Sequence, residues 1–338
     1  MYFVYSGKQN LFEIEYIEEV LLSKVSNVKK ITLEDFKNKN INENIIIYYS
    51  DSEKEISDDI RFFLKNFNNN YFLIHISDEA LTHDLSVYKN ANYIFRGYYN
   101  PFISPKKCFT IPIGFQSGFL TRDNFEIKKR DMVWSFFGQF YSDRVNMLNN
   151  LISIKPNIFY KLDTFMDKDA LGVKCLEKCY SETIFAPCPN GFSNPDSFRI
   201  MEVLEKGCIP IVKKFVFIDY FKFVFGDHPF ILVNKWEDTE KIINNYLSNP
   251  EKLKNKQLEI ENWYKIFKDK LSRDVKGIIE DGNINLISQQ NIYQKKGRLN
   301  LLVLFNYYYY FILRRKSYFI KLSKALYKTK EKIKEKIK

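Results

Sequence analysis

Apolar residues in this chain gather in short runs set between polar stretches of helical spacing. In the first third the runs are Ile45–Tyr49 (IIIYY), Tyr71–Ile76 (YFLIHI), Tyr93–Arg96 (YIFR) and Cys108–Ile113 (CFTIPI). Runs this short that do not alternate with polar residues predict strands buried on both faces. A polar segment such as Asp58–Asn66 between them predicts a covering helix. The pattern lapses between Gln116 and Asp131 and then resumes. A second set of strands is predicted at Met132–Phe137 (MVWSFF), Pro156–Lys161, Thr183–Ala186 (TIFA), Cys208–Val212 and Phe230–Val233. Helical patterns run from about Ser142 to Ile152 and over Ser197–Lys206, Asp238–Leu247 and Pro250–Leu271. Two successive series of this kind predict an α/β chain with two facing Rossmann-like domains, residues 1–120 and 131–275. Ligands of such sheets bind at the carboxyl ends of the strands, so the cleft between the domains is the expected site.

Composition sharpens this picture in three places. With 338 residues and 45% hydrophobic content, the chain can bury two cores and is not a disordered protein. The net charge of +11 is local: from Lys295 onward there are 14 Lys+Arg against 2 Asp+Glu, and the rest of the chain stands at −1. A neutral body argues against a nucleic-acid partner, which calls for cations spread over a folded face. The apolar run Leu301–Leu313 (LLVLFNYYYYFIL) is shorter than the roughly 20 residues of a membrane span. With Arg314, Arg315 and Lys316 behind it, residues 295–338 are expected to form a basic amphipathic tail lying on an anionic membrane surface. The start, MYFVYSGKQN, lacks the charge-then-apolar pattern of a leader. Five cysteines without a disulfide framework favour a reducing compartment, and Cys175 and Cys179 are expected to be buried small hydrophobes. The expected location is therefore cytoplasmic, peripheral at the inner face of the membrane.

The chemistry concentrates in FAPCPNGFSNPDSFRIMEVLEKGCIPIV, residues 185–212. A strand runs into a loop holding Pro187, Pro189, Asn190, Gly191 and Pro195. Asp196 or Ser197 then caps a helix, Gly207 ends it in the left-handed region, and a strand follows. Such a unit points a helix N-terminus into the cleft, where unpaired N–H groups and the dipole suit a diphosphate. Arg199 in the first turn adds a cation with bidentate geometry. Glu202, three residues on and on the same face, is placed to accept hydrogen bonds from two ribose hydroxyls. A plain cap and a helical salt bridge would explain the same spacing.

The run SFRIMEVLEKGCIPIV resembles the motif of the exostosin-like glycosyltransferases: Ser-Phe-Arg, a Glu three further on, Gly-Cys, then Ile-Pro-Ile-Val. Three further segments, IHISDE (Ile74–Glu79), YIFRGYYN (Tyr93–Asn100) and IPIGF (Ile111–Phe115), are similar in order and spacing to the related xylosyltransferases that act on ribitol phosphate. The resemblance implies two domains of GT-B type, a nucleotide-diphosphate sugar as co-substrate and inversion at the anomeric carbon. Transfer would be to a glycan or lipid-linked acceptor, as in bacterial surface polysaccharide synthesis. It implies Ser197 and Arg199 on the donor phosphates, Glu202 on the ribose, and Asn190 and Gly191 in the donor loop. Gly138 and Arg144 of FFGQFYSDR would form the other side of that pocket. A non-catalytic nucleotide- or glycan-binding protein of the same fold is the alternative.

Inverting transfer needs a base, and HISDE follows a predicted strand. Asp78 is the first candidate and Glu79 the second, with capping of the next helix as the competing role. His75 is expected in the core, with His83 an outside candidate. Arg96 could bind an anionic acceptor or a donor phosphate, or pair with Asp78 or Glu79. Gly114 is expected to let a ligand or the partner domain approach. Asp167-Lys168-Asp169 has a metal-binding form but precedes a helix, where acids cap. No metal site and no cofactor beyond the co-substrate are expected, since Arg199 and the helix terminus supply positive charge.

Overall fold

In the computed structural model every named strand pair is parallel. The structure describes residues 1–8, 11–39, 41–50, 53–104, 106–121, 130–141, 143–162, 171–191, 194–215 and 218–282, with 293, 296, 301 and 303–305. The first sheet has the order β2-β1-β3-β4-β5-β6, from β1 (Tyr2–Tyr5), β2 (Lys29–Thr32), β3 (Ile45–Tyr48), β4 (Tyr71–His75), β5 (Tyr93–Arg96) and β6 (Cys108–Thr110). The second has the order β11-β10-β9-β7-β8, from β7 (Met132–Gln139), β8 (Asn157–Leu162), β9 (Thr183–Cys188), β10 (Ile209–Lys213) and β11 (Ile231–Val233). In both sheets the first strand lies between the second and the third. Connections therefore leave in opposite directions from a switch point beside that first strand, the position where such sheets open a crevice for ligand.

Burial on both faces explains why the strand runs are unbroken. Ile45, Ile46 and Ile47 of β3 are all fully buried, with Ile46 on one face and Ile45 and Ile47 on the other. Each such side chain contributes about 2–3 kcal/mol relative to exposure. The face of Ile45 and Ile47 is covered by the Lys54–Lys65 helix through Ile56, Ile60 and Leu64, one turn apart. The face of Ile46 joins a core shared with the second sheet. β1 and β2 were not foreseen. β2 is an edge strand whose exposed Lys29 and Lys30 hide its pattern.

The 31-residue helix Pro250–Glu280 ties the two halves together. It was expected to stop at Leu271, but Val275, Ile278 and Ile279 in its last turns are buried. Lys24 pairs with Asp269, and the Ser26 N–H donates to Glu280, so its far end rests on the first domain. Tyr264 in its middle donates to Glu205 at 2.7 Å. The expected acidic pair Asp167 and Asp169, and most of the expected membrane tail, lie outside the described residues. No helix among the described residues is long and apolar enough to cross a membrane.

Candidate functional site

The switch point of the second sheet, between β7 and β9, is where the diphosphate-type motif lands. β7 runs two residues further than expected, so Gly138 lies within it at φ 148°, a backbone region that favours glycine. A Cβ at Gly138 would stand 2.8 Å from Arg199 Nη2 and 3.6 Å from Arg144 Nη1, so glycine lets both guanidiniums close over the strand. Arg199 donates from Nη2 to the Phe137 carbonyl at 2.5 Å and lies over the Phe136 ring. Arg144 donates from Nε and Nη2 to the Asn190 carbonyl at 3.3 Å and from Nη1 to the Gln139 carbonyl. Burial first, and the neighbouring Arg199 cation second, push Arg144 down to about 10. Two buried cations bonded to carbonyls and stacked on rings, with no carboxylate in an ion pair among the described residues, have the chemistry to receive an anion.

The Phe198–Glu205 helix begins beside them. Ser197 occupies the cap position but makes no side-chain cap bond, contrary to expectation. Ser197 Oγ, Arg199 Nε, Arg199 Nη1 and Asp196 Oδ2 are all buried without a hydrogen-bond partner among the described residues. Orphaned donors at a helix start beside two cations match the phosphate oxygens of a ligand. Burial pushes the Glu202 carboxyl up to about 7, against Arg199 and the Gln116 backbone N–H, which favour its anion. Gly207 ends the helix at φ 65°, as expected.

The first domain meets this unit along a seam. The Asn194 side-chain amide donates to the Glu79 carbonyl, and the Asn194 N–H donates to Glu79 Oε1 at 3.4 Å. Gly191 allows the approach, since a Cβ there would sit 2.9 Å from Glu79 Oε1 and 2.8 Å from the Asp196 carbonyl. Asn190 and Gly191 thus act through their backbone, one on Arg144 and the other under Glu79. The Tyr99 N–H donates to the Tyr220 hydroxyl at 3.1 Å, and Tyr99 stacks on Phe223 at 4.3 Å.

In the first domain the expectations for Asp78 and Gly114 change, and Arg96 takes the structural alternative, a pair with Asp78. Asp78 and Arg96 form a buried ion pair at 2.5 Å, each 1% exposed. Asp78 also accepts from the backbone N–H groups of Thr82 and His83 at 2.8 and 3.1 Å. Its carboxylate organises the loop after β4, and a proton taken there would break the pair. Arg96 also donates to the Tyr88 hydroxyl, His75 Nδ1 and the Tyr98 carbonyl, so it is not free for an anionic acceptor or phosphate. Gly114, at φ 89°, makes room for a ring: a Cβ would stand 2.2 Å from Tyr16 Cδ1. Among the cysteines, Cys175 is exposed rather than buried, and Cys179 is half-buried.

His75, Asp78 and His83 bring three ligating atoms within 4.8 Å of one another. Arg96 bonds to two of these residues and already supplies the positive charge a metal ion would bring. Burial and Arg96 hold His75 well below its ordinary range, so it stays neutral. With Arg96 donating to Nδ1, His75 carries its proton on Nε2 and donates it to His83 Nδ1 at 2.9 Å. His75 is thus the core histidine expected. Sequence reasoning passed over Asp196 and Asn194. Asp196 reads as an ordinary cap, and nothing local shows that the other domain covers it.

No family model matches the chain, and no curated protein does. Solved structures do. Anabaena HepE in complex with UDP and glucose aligns at TM-score 0.56 and 10% identity, over 83% of this chain and 100% of that one. The DNA-modifying enzyme β-glucosyltransferase, solved with and without uridine diphosphoglucose, aligns at 0.53 and 13%, over 84% and 100%. T4 phage β-glucosyltransferase in complex with UDP-glucose aligns at 0.50 and 12%, over 83% and 98%. At these identities the likeness concerns the fold, and the chain has the GT-B architecture of two Rossmann-like domains seen in nucleotide-sugar glycosyltransferases.

Proposed function

We propose that the chain is an inverting, exostosin-like glycosyltransferase moving a sugar from a nucleotide-diphosphate donor to a hydroxyl of a glycan or lipid-linked acceptor. The observation that carries this is the set of orphaned donors at Ser197 and Arg199 beside the second guanidinium of Arg144. A diphosphate supplies acceptors to those donors and relieves the repulsion between the cations. Glu202 takes the ribose hydroxyls. The structural neighbours support the reading, since they are glycosyltransferase-type folds solved with UDP, glucose or UDP-glucose.

In the step itself the acceptor oxygen attacks the anomeric carbon and gives its proton to a carboxylate. The bond from that carbon to the diphosphate breaks, and the nucleoside diphosphate leaves with the electron pair. Glu79 is the base, because it stands at the seam facing the donor loop while Asp78 is committed to Arg96. Arg199, Arg144 and the helix terminus neutralise the leaving group, a role that needs no metal. The basic tail keeps the enzyme at the inner face of the membrane, where surface polysaccharide precursors are assembled. Titration calorimetry with UDP, GDP and their sugars tests the reading. Wild type binds at least one of them, and Arg199→Ala weakens that binding about 30-fold or more, the cost of charge-assisted bonds of about 2–3 kcal/mol. Equal binding by Arg199→Ala refutes it.

A further inference from the structure

Three of the four orphaned polar atoms at the start of the Phe198–Glu205 helix are donors or can be: Ser197 Oγ, Arg199 Nε and Arg199 Nη1. They have the chemistry of a phosphate site. The fourth, Asp196 Oδ2, does not. As a carboxylate oxygen it repels a diphosphate, and as an acceptor it needs a donor that phosphate lacks. A buried polar atom left unpaired costs about 1–3 kcal/mol, so the atom calls for a partner of its own.

The surroundings of Asp196 say where that partner lies. The residue is 1% exposed. Its Oδ1 accepts the Ser197 N–H at 2.9 Å, and the backbone N–H of Ile113, from the segment after β6 in the other domain, is near enough to favour its anion. Glu79 and the phenols of Tyr16, Tyr98 and Tyr220 are near enough to feel its charge. Tyr16 gives its proton to the Pro112 carbonyl, Tyr220 accepts the Tyr99 N–H, and none of these groups bonds Oδ2. Tyr98 is held at φ 60°, a left-handed conformation that a bulky residue adopts only under constraint, and such strain collects at functional sites. Asp196 therefore sits one residue before the phosphate-type donors, on the flank that faces the first domain and Glu79.

In a nucleoside diphosphate sugar the group bonded to the distal phosphate is a ring of hydroxyls. A hydroxyl both donates and accepts, so it matches Asp196 Oδ2 where a phosphate oxygen cannot. We propose that Asp196 is a specificity-determining residue of the donor site, its Oδ2 bonding a hydroxyl of the transferred sugar. This rests on the reading that the diphosphate lies against Ser197, Arg199 and Arg144. Burial pushes the Asp196 carboxyl up to about 7. Near neutral pH it is thus available both as anion and as acid; a hydroxyl satisfies either form, whereas a phosphate oxygen could meet only the acid. A bond to one hydroxyl of the ring discriminates sugars that differ there, because the wrong epimer leaves the buried oxygen unpaired again.

Asp196→Asn is the direct test. It keeps an oxygen for the Ser197 N–H and replaces Oδ2 by a neutral NH2 that can only donate, so the charge-assisted bond from a sugar hydroxyl is lost and at most a weaker neutral one takes its place. Binding of UDP and of a panel of UDP sugars, with GDP and its sugars alongside, is measured by calorimetry. Transfer or donor hydrolysis is measured with the same panel. The variant is expected to bind the bare nucleoside diphosphate within about twofold of wild type. For the sugar that wild type prefers, the affinity gained over the bare diphosphate falls about tenfold or more, and the ranking of epimers changes. An unchanged ratio and ranking overturns the proposal while leaving the donor-site reading standing. Equal loss of bare diphosphate and sugar nucleotide also overturns it, since Asp196 would then only support the phosphate site. A wild type that binds no nucleoside diphosphate sinks both readings. If Asp196→Asn does not fold, Asp196→Ser serves as the second variant, with the same selective loss expected and the same outcomes decisive.

Discussion

Replacing Glu202 by Gln separates what the candidate donor site costs the folded chain from what it gives a ligand. The carboxyl ordinarily titrates at 4.5 and is pushed up to about 7 by burial. At about 1.36 kcal/mol per pKa unit, its ionised form is disfavoured in the folded chain by roughly 3 kcal/mol. Because the residue keeps part of its surface exposed, about 1–2 kcal/mol is the expected effect. The folded value lies above the unfolded one, so the native chain holds a proton that the unfolded chain releases. Stability contributed by this group is fully present below pH 4.5, is lost as pH rises towards 7, and stays flat above. Gln keeps an acceptor for the Gln116 N–H and cannot ionise. Urea denaturation should therefore show Glu202→Gln close to wild type at pH 4.5 and more stable by about 1–2 kcal/mol at pH 8. The same variant should bind UDP about tenfold more weakly, because an amide replaces the carboxylate that holds the ribose hydroxyls. A stability difference that does not grow between pH 4.5 and 8 refutes the titration argument. Unchanged UDP affinity refutes the ribose assignment.

Further outcomes follow from single contacts. Gly138→Ala places a methyl 2.8 Å from Arg199 Nη2 in a backbone region alanine avoids, and should both lower the melting temperature and weaken UDP binding by about tenfold or more. Asp78→Asn leaves Arg96 buried without its counter-ion and should cost about 3–5 kcal/mol of stability, read by denaturation, while UDP affinity of the folded fraction is kept. Glu79→Gln should keep donor binding and lower kcat about 10²–10⁴-fold, whereas full turnover would remove Glu79 as the base. Deleting Gly297–Lys338 should move the protein from the membrane to the soluble fraction, since each cation is worth about 1 kcal/mol at an anionic surface, and unchanged fractionation would refute the tail's role.

The sequence made the layered architecture legible because burial on both faces of a parallel sheet writes itself locally, as in IIIY of β3 and YIFR of β5. It hid β2, whose lysines face solvent at an edge, and the last turns of the long helix, whose burial depends on the other domain. The cluster proposed as the donor half of the site was legible as a spatial unit for a similar reason. A loop, a helix start, an arginine and a glutamate lie within one contiguous unit, and the backbone alone sets their relation. The acceptor half was not. Arg96 and Arg199 look alike in the sequence, each beside an element end with an acid within reach. The fold gives Arg96 a carboxylate, a histidine, a phenol and a carbonyl, all buried. It gives Arg199 one carbonyl and one ring, and leaves Nε and Nη1 unpaired. A cation whose donors are met inside the protein holds the fold together. One with buried donors left unpaired among the described residues is suited to something that arrives from outside, and only the packing distinguishes the two.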